Sequence, residues 1–149
     1  MAVSTTQSIW RSGGGDQTRT AYCGSGVMAA QFYIADASVA TATNVTVSSG
    51  GPALVLPAGA VVLSVAINDA GSGSVDLGTR GYNSGTVTGA AIANNLSVAS
   101  AGVVTSGLTL TATSEMSYVT VTIDTSGSGT VGGYITYFVV DPLAGQQNV

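Results

Sequence analysis

Strict alternation of apolar and polar residues is the feature that most constrains how this chain can fold. Residues 118–124 read Tyr-Val-Thr-Val-Thr-Ile-Asp, which sets Val119, Val121 and Ile123 on one face of an extended backbone. Residues 108–113 read Leu-Thr-Leu-Thr-Ala-Thr and repeat the pattern. A period of two residues is that of a half-buried β-strand, and the sequence lacks the 3.6-residue period of a long amphipathic helix. The chain is therefore predicted to be all-β.

Short segments rich in Val and Thr, separated by clusters of Gly, Ser, Asn and Asp, predict where the strands lie. The predicted strands are residues 27–35, 44–48, 60–68, 74–78, 108–113, 118–124 and 130–140. In the third of these strands the predicted core face consists of Val61, Leu63, Val65 and Ile67. Residues 126–129, Ser-Gly-Ser-Gly, suit a hairpin between the last two strands. Residues 86–101 fit either one short helix or a long loop.

Regularly spaced short strands with glycine-rich turns predict an antiparallel β-sandwich or jelly roll. This domain is predicted to span residues 27–149. Residues 1–26 show neither a period of two nor one of 3.6, and they contain Gly-Gly-Gly at 13–15 and Gly-Ser-Gly at 24–26. We expect residues 1–26 to form an extended N-terminal arm that becomes ordered on a partner.

The chain carries very little charge, and it contains neither Lys nor His. Charged residues make up 7% of the sequence, against about 25% in an ordinary soluble domain. Charge and Pro normally block edge-to-edge pairing of strands, so their scarcity indicates edges that are closed within the fold or used for assembly. Arg11, Arg19 and Arg80 do not form the basic cluster that phosphate neutralisation needs. Nucleic acid is therefore not an expected partner.

The longest apolar stretch, residues 54–67, is interrupted by Pro57 and Gly59. A membrane-spanning helix needs about 20 continuous apolar residues, so no membrane partner is expected. Residues 1–9 lack the basic and apolar regions of a secretory leader. Cys23 is the only cysteine, and we expect it to be a small buried hydrophobic residue.

Candidate catalytic and metal-binding residues are few. Two stretches with Asp76 and Asp124 bear a superficial likeness to aspartic-protease turns, but neither keeps the required residue order. Both side chains are predicted to accept hydrogen bonds from turn N–H groups at strand ends. Asn68, Asp69 and Asp76 could offer oxygen atoms to Ca²⁺, but they lack EF-hand spacing, so a plain exposed loop is predicted. Without His, and with one Cys, neither a Ser-His-Asp triad nor a zinc site can form. We expect no enzyme activity, no metal and no cofactor.

Aromatic residues are concentrated in the first and last predicted strands. They are Phe32, Tyr33, Tyr134, Tyr137 and Phe138. Exposed rings could form a sugar-binding platform, but rings within apolar strands favour core packing or subunit contact. Trp10 beside Arg11 is a pairing common at interface hot spots. The alternative is that Trp10 folds back onto the chain's own core.

Several segments resemble the decoration, or cement, proteins of tailed-bacteriophage heads. A Leu-Pro-Ala-Gly corner at residues 56–59 leads into a strand, and an Asp-Leu-Gly strand follows at 76–78. Residues 108–113 and 129–137 complete the likeness, which covers about residues 54–140. The resemblance implies a β-sandwich or jelly-roll subunit, commonly trimeric, bound to the outside of an icosahedral shell.

The function implied by this resemblance is structural. The protein would form a homotrimer and bind the major capsid protein, clamping capsid subunits on the virion exterior after synthesis in the host cytoplasm. The expected capsid contacts are Ile9, Trp10, Arg11 and Arg19, with the arginines pairing with capsid carboxylates. The alternative is a tail-fibre or spike module that binds host surface glycans, for which Tyr82 and Asn83 are the candidate loop residues.

Overall fold

Nine β-strands make up the computed structural model, which describes residues 26–140. The strands are β1 (Met28–Ile34), β2 (Thr43–Asn44), β3 (Val55–Leu56), β4 (Ala60–Asp69), β5 (Ser74–Gly81), β6 (Val87–Ser97), β7 (Gly102–Val104), β8 (Ser117–Ile123) and β9 (Val131–Val139). These residues contain no helix, and thus none able to cross a membrane. The prediction of an all-β chain is confirmed, and β1, β4, β5, β8 and β9 lie where strands were predicted.

Two antiparallel sheets face each other across the core. The four-stranded sheet has the order β1-β9-β4-β7, so β9 lies between β1 and β4. The five-stranded sheet has the order β2-β8-β5-β6, and β3 pairs with β8 next to β2. Thr46 joins the sheets at one side, because it exchanges backbone hydrogen bonds of 2.7 and 3.1 Å with Tyr33 of β1. This arrangement confirms the antiparallel sandwich.

Apolar side chains from the inner faces of both sheets form one core. Val119 and Val121 of β8 belong to it, as the alternation predicted, while Ile123 stays partly exposed at the strand end. The largest buried side chains are Phe32, Ile34, Leu56, Leu77, Leu96 and Ile135. Burial of each such side chain contributes about 1.5–3 kcal/mol, so this core supplies the main stabilisation of the sandwich.

The Leu-Pro-Ala-Gly corner is a β-turn that leads into β4. The Ala60 N–H donates to the Pro57 carbonyl at 3.3 Å, and Gly59 has a φ of 82°, as a type II turn requires. Thr113 holds this corner from another loop, because its hydroxyl donates to the Pro57 carbonyl at 2.7 Å. Its N–H also donates to the Ala60 carbonyl at 3.0 Å. The loop before β8 is thereby fixed to the start of β4.

A β-bulge in β4 changes which of its residues face the core. Two consecutive residues of β9 pair with Ser64 and Val62, so Leu63 is the extra residue. A bulge shifts the side-chain phase by one position, which moves the inward face to Val62 on one side of it. Of the predicted core face, Val65 and Ile67 lie in the core cluster, whereas Val61 and Leu63 do not. The prediction was wrong at Leu63, whereas Val61 is buried, with 7% exposure, without belonging to that cluster.

Strand β6 occupies the region for which a short helix or a long loop was predicted, so both predictions were wrong. Residues 77–79 of β5 lie opposite residues 88–93 of β6, which therefore bulges strongly. A second irregularity lies at Asn95, which has a φ of 58°. The Asp76 carboxylate accepts a hydrogen bond of 2.8 Å from the Asn95 N–H. These irregularities interrupt the alternation by which a strand is recognised.

The predicted strand at residues 108–113 is also wrong. Leu108 makes an isolated bridge to Ala93, and the residues after it form no strand. Leu110 has a φ of 56° and is 59% exposed, so the backbone leaves the extended conformation there. The Thr109 hydroxyl donates to the Ala91 carbonyl at 2.6 Å. Thr109 thus anchors the start of this loop to β6, and Thr113 fixes its end to the start of β4.

The glycine-rich link at residues 126–129 crosses between the sheets and is not the predicted hairpin. It joins β8 of the five-stranded sheet to β9 of the four-stranded sheet, and the loop from β4 to β5 crosses beside it. The two loops pair through reciprocal 3.0 Å backbone hydrogen bonds between Ser72 and Ser128, whose hydroxyls are also hydrogen-bonded. A Cβ at Gly127 would lie 2.6 Å from the Ala37 carbonyl oxygen, so this close crossing requires glycine.

Candidate interaction surface

Charge in the described part of the chain lies almost wholly away from the four-stranded sheet. The charged residues between 26 and 140 are Asp36, Asp69, Asp76, Arg80, Glu115 and Asp124. Of these, Asp69 alone belongs to a strand of that sheet, and it is the last residue of β4. The outer face of the four-stranded sheet is therefore free of charge except at one end of β4.

A row of four paired residues crosses this outer face. Tyr134 of β9 pairs with Gln31 of β1 on one side and with Ala66 of β4 on the other, and Ala66 also pairs with Val103 of β7. Directly paired residues share one face of a sheet. We call Gln31, Tyr134, Ala66 and Val103 the neutral row. Tyr134 is 44% exposed and Val103 is 71% exposed, so the row presents apolar surface on β9 and β7 and the uncharged Gln31 on β1.

The row beside it is polar and also uncharged. Thr136 of β9 pairs with Ala29 of β1 and with Ser64 of β4. The hydroxyls of Thr136 and Ser64 are hydrogen-bonded to each other. Because the two hydroxyls are already hydrogen-bonded to each other, a protein partner that covered this row would leave fewer polar groups without hydrogen bonds.

The outer face of the five-stranded sheet has a different character. The Arg80 guanidinium reaches across β8 and donates to the Asn44 side-chain oxygen at 3.3 Å and to the Ala42 carbonyl at 3.0 Å. Tyr82 is 50% exposed, and its ring lies against that of Tyr118, with centroids 5.4 Å apart. Tyr82 and Asn83, the candidate glycan-binding residues, therefore lie in the β5–β6 turn and not on the face of the neutral row.

A polar pocket of about 200 Å³ lies at one end of the five-stranded sheet. It is lined by Thr79, Gly81, Ser84, Thr86, Thr88, Ser114, Glu115 and Ser117. The Ser84 hydroxyl donates to the Glu115 carboxylate and accepts from the Thr86 N–H at 3.1 Å. The lining holds one carboxylate and no basic side chain, so it offers no acid–base pair. Sequence reasoning did not predict this pocket, because Ser84 and Glu115 are 31 residues apart.

The aspartates with a likeness to protease turns serve the local backbone and its side chains. Asp76 was predicted to accept a hydrogen bond from a backbone N–H, and it does so from Asn95. It lies within β5, however, and not at the end of the strand. Asp124 follows β8 and accepts from the Ser74 hydroxyl at 3.1 Å. Among residues 26–140 no three His, Cys, Asp or Glu side chains are grouped so that they could hold a metal ion.

Asp36 closes the turn that follows β1. The Ser38 hydroxyl and N–H donate to one Asp36 carboxylate oxygen at 2.6 and 2.8 Å. These hydrogen bonds, that of the hydroxyl above all, favour the charged form and lower the pKa of Asp36. Its carboxylate is therefore engaged in the turn.

The predicted contact residues Ile9, Trp10, Arg11 and Arg19 lie outside the described residues, as does Cys23. The aromatic side chains of the two strands separate into different environments. Phe32 lies in the core, Tyr137 packs against it, Tyr33 and Phe138 are half-buried, and Tyr134 is exposed. Sequence reasoning missed the rest of the neutral row, because its residues come from four strands whose pairing the sequence does not state.

No protein-family model matches the chain, and no curated protein matches it. Among solved structures, a chain of the cyanophage Pam1 capsid asymmetric unit is similar, with 20% sequence identity and a TM-score of 0.46. The likeness covers 85% of this chain and 97% of that chain. Similarity at this level establishes no shared function, so function must be inferred from the surface of the chain itself.

Proposed function

We propose that the protein is a structural, non-enzymatic component of a bacteriophage virion that decorates the outside of the capsid. It binds there as a homo-oligomer, specifically a trimer, and clamps neighbouring subunits of the major capsid protein. The observation that carries this proposal is the neutral row on the charge-free outer face of the four-stranded sheet.

A surface of this kind suits permanent contact with protein. Desolvating a charge costs several kcal/mol unless it is paired well, and the neutral row contains no charge to desolvate. Interface cores are depleted in charge and enriched in aromatic residues, and Tyr134 supplies an exposed ring near the middle of the row. Charge is confined to other parts of the described chain, so the two sheets present different surfaces.

Contact with the capsid is proposed to involve the N-terminal residues. Ile9 and Trp10 offer apolar side chains, and Arg11 and Arg19 offer charge-assisted hydrogen bonds to capsid carboxylates. Each contact can be weak, because three copies joined in one particle bind with a high effective concentration. Oligomerisation and capsid binding are thus assigned to different residues and can be tested separately.

Tyr134→Arg is expected to dissociate the oligomer. The wild-type protein should have a mass three times that of the 14.6 kDa subunit, whereas the variant should be largely monomeric. An arginine in the neutral row would have to be desolvated without a partner, which we expect to weaken association about 30-fold or more. Size-exclusion chromatography with light scattering measures both masses.

Tyr82→Arg is the matched control, because Tyr82 is similarly exposed but lies away from the neutral row. It should leave the mass unchanged. A Tyr134→Arg protein that keeps the full oligomeric mass, with an unchanged circular dichroism spectrum, would exclude the neutral row as the subunit interface.

Removing the N-terminal contacts is expected to abolish capsid binding without unfolding the subunit. Wild-type protein should co-sediment with purified, expanded capsids that lack decoration, in a fixed ratio to the major capsid protein. A variant with Trp10→Ala and Arg11→Ala should lose at least about 30-fold in affinity, as hot-spot residues do. Its thermal unfolding should match that of the wild type.

Two results would count against this proposal. The first is wild-type protein that does not co-sediment with such capsids at any concentration tested. The second is wild-type protein that binds host cells or isolated glycans by itself and loses that binding with Tyr82→Ala. The second result would favour the tail-fibre or spike alternative.

A further inference from the structure

Strand β1 forms an edge of the four-stranded sheet, and much of that edge has no partner among residues 26–140. The Tyr33 N–H and carbonyl point away from β9, because they bond to Thr46 at 2.7 and 3.1 Å. In an antiparallel ladder the groups that face one side recur at every second residue. The backbone groups of Gln31, Ala29 and Val27 therefore face the same open side.

This open edge lacks the features that normally prevent pairing. Residues 27–32 contain no charge and no Pro, and Thr46 takes up pairing at the next position. The edge thus offers six residues, with a definite end at Tyr33, to an incoming strand. Sheet edges of this kind are usually covered or paired in native proteins.

The chain that precedes β1 has the length and composition to fill this gap. Residues 24–26 read Gly-Ser-Gly, which suits a three-residue hairpin turn. Residues 18–23 read Thr-Arg-Thr-Ala-Tyr-Cys, which are rich in strand-favouring types and free of Pro and Gly. With a three-residue turn, Cys23 would pair with Val27 and Thr18 with Phe32. This pairing would end at Phe32, directly before Tyr33, which pairs with Thr46.

We propose that residues 18–23 of the same chain fold back along β1 and complete the sheet as a fifth strand. The inference does not depend on the proposed capsid role. It changes the boundary of the arm, which then comprises residues 1–17. It also places Arg19 opposite Gln31, at the end of the neutral row, so that one positive charge would border this uncharged face.

A designed disulfide tests the pairing and its register. In a Cys23→Ser background, Ala21→Cys with Ala29→Cys joins two residues that would lie about 5.5 Å apart between Cα atoms. Mild oxidation should link them within one chain. The control pair is Ala21→Cys with Ala66→Cys, because Ala66 lies two strands further across the same face and should not react.

Three outcomes of oxidation would overturn the proposal. Absence of a link in the Ala29 pair would show that residue 21 does not lie on the β1 edge. Equal linking in both pairs would show that residues 18–23 do not hold one position on the sheet. A disulfide-linked dimer in the Ala29 pair would assign the edge to a strand of a second copy.

Amide exchange gives an independent readout that does not need a cysteine. In the unmodified chain the Ala29 and Gln31 N–H groups should exchange at least ~100-fold more slowly than free amides. Ala21→Pro should remove this protection and spare the Phe32 N–H, which faces β9. Gly14→Pro, earlier in the arm, should leave all of them protected. Free exchange at Ala29 and Gln31 in the unmodified chain would contradict the proposal.

Discussion

Gly133→Ala should lower the free energy of unfolding by about 3 kcal/mol or more, which would rank it among the most damaging single methyl additions in this fold. Gly133 lies in β9, between β1 and β4, at a position where β4 bulges. A Cβ there would overlap the Ala66 carbonyl oxygen and lie 2.9 Å from the carbonyl carbon. These are backbone atoms of a central strand, so the clash cannot be relieved by a side-chain rotation. Urea denaturation followed by circular dichroism measures the loss.

The neighbouring glycine provides the control for this prediction. A Cβ at Gly132 would meet its nearest atom, the Asp69 Cβ, at 3.6 Å, which is an ordinary contact. Gly132→Ala should therefore be neutral or stabilise the protein by about 0.5 kcal/mol, because alanine has less freedom in the unfolded chain. Equal losses in the two variants would show that the clash at Ala66 is not the cause.

Leu77→Ala should destabilise the protein by about 2–5 kcal/mol, a large share of the 5–15 kcal/mol that holds a typical domain folded. Leu77 lies on the inner face of β5, is 1% exposed and belongs to the core cluster. Its removal leaves a cavity between the sheets that close-packed neighbours cannot fill. The midpoint of urea unfolding should fall while the dependence of the free energy on urea stays the same.

Leu110→Ala makes the same chemical change at an exposed position. Leu110 is 59% exposed and has a φ of 56°. Its substitution should change the unfolding free energy by less than about 0.5 kcal/mol. If Leu77→Ala were equally mild, the space between the sheets would be able to collapse around the lost side chain.

Alternation of residue type predicted the strands that pair regularly. In β8 Val119 and Val121 enter the core, and their alternation with threonine is visible in the printed sequence. The predictions of strands and of their inward faces failed where the backbone departs from a regular pleat. The bulge at Leu63 reversed the inward face of half of β4, and Asn95 and the long bulge before it concealed β6.

Other errors arose because the sequence does not state which strands pair with each other. The Ser-Gly-Ser-Gly link has the composition of a hairpin, but whether it joins paired strands depends on which sheet each strand enters. The neutral row shows the same limit, because Val103 and Tyr134 become neighbours only through the pairing of Ala66 with both. The low charge of the chain predicted an assembly surface, which stays a prediction, and it did not indicate which strands would form one.

The place of β9 between β1 and β4 has a consequence for the order of events during synthesis. β1 is among the first strands to leave the ribosome, yet its partner in the sheet is residues 131–139. Pairing over such a separation is slow, and it cannot start before residues 131–139 have been made. The neutral row includes Tyr134, so it forms only once residues 131–139 have been made and have paired with β1 and β4. The subunit contact proposed for this row therefore requires a sheet that is already closed by its last strand.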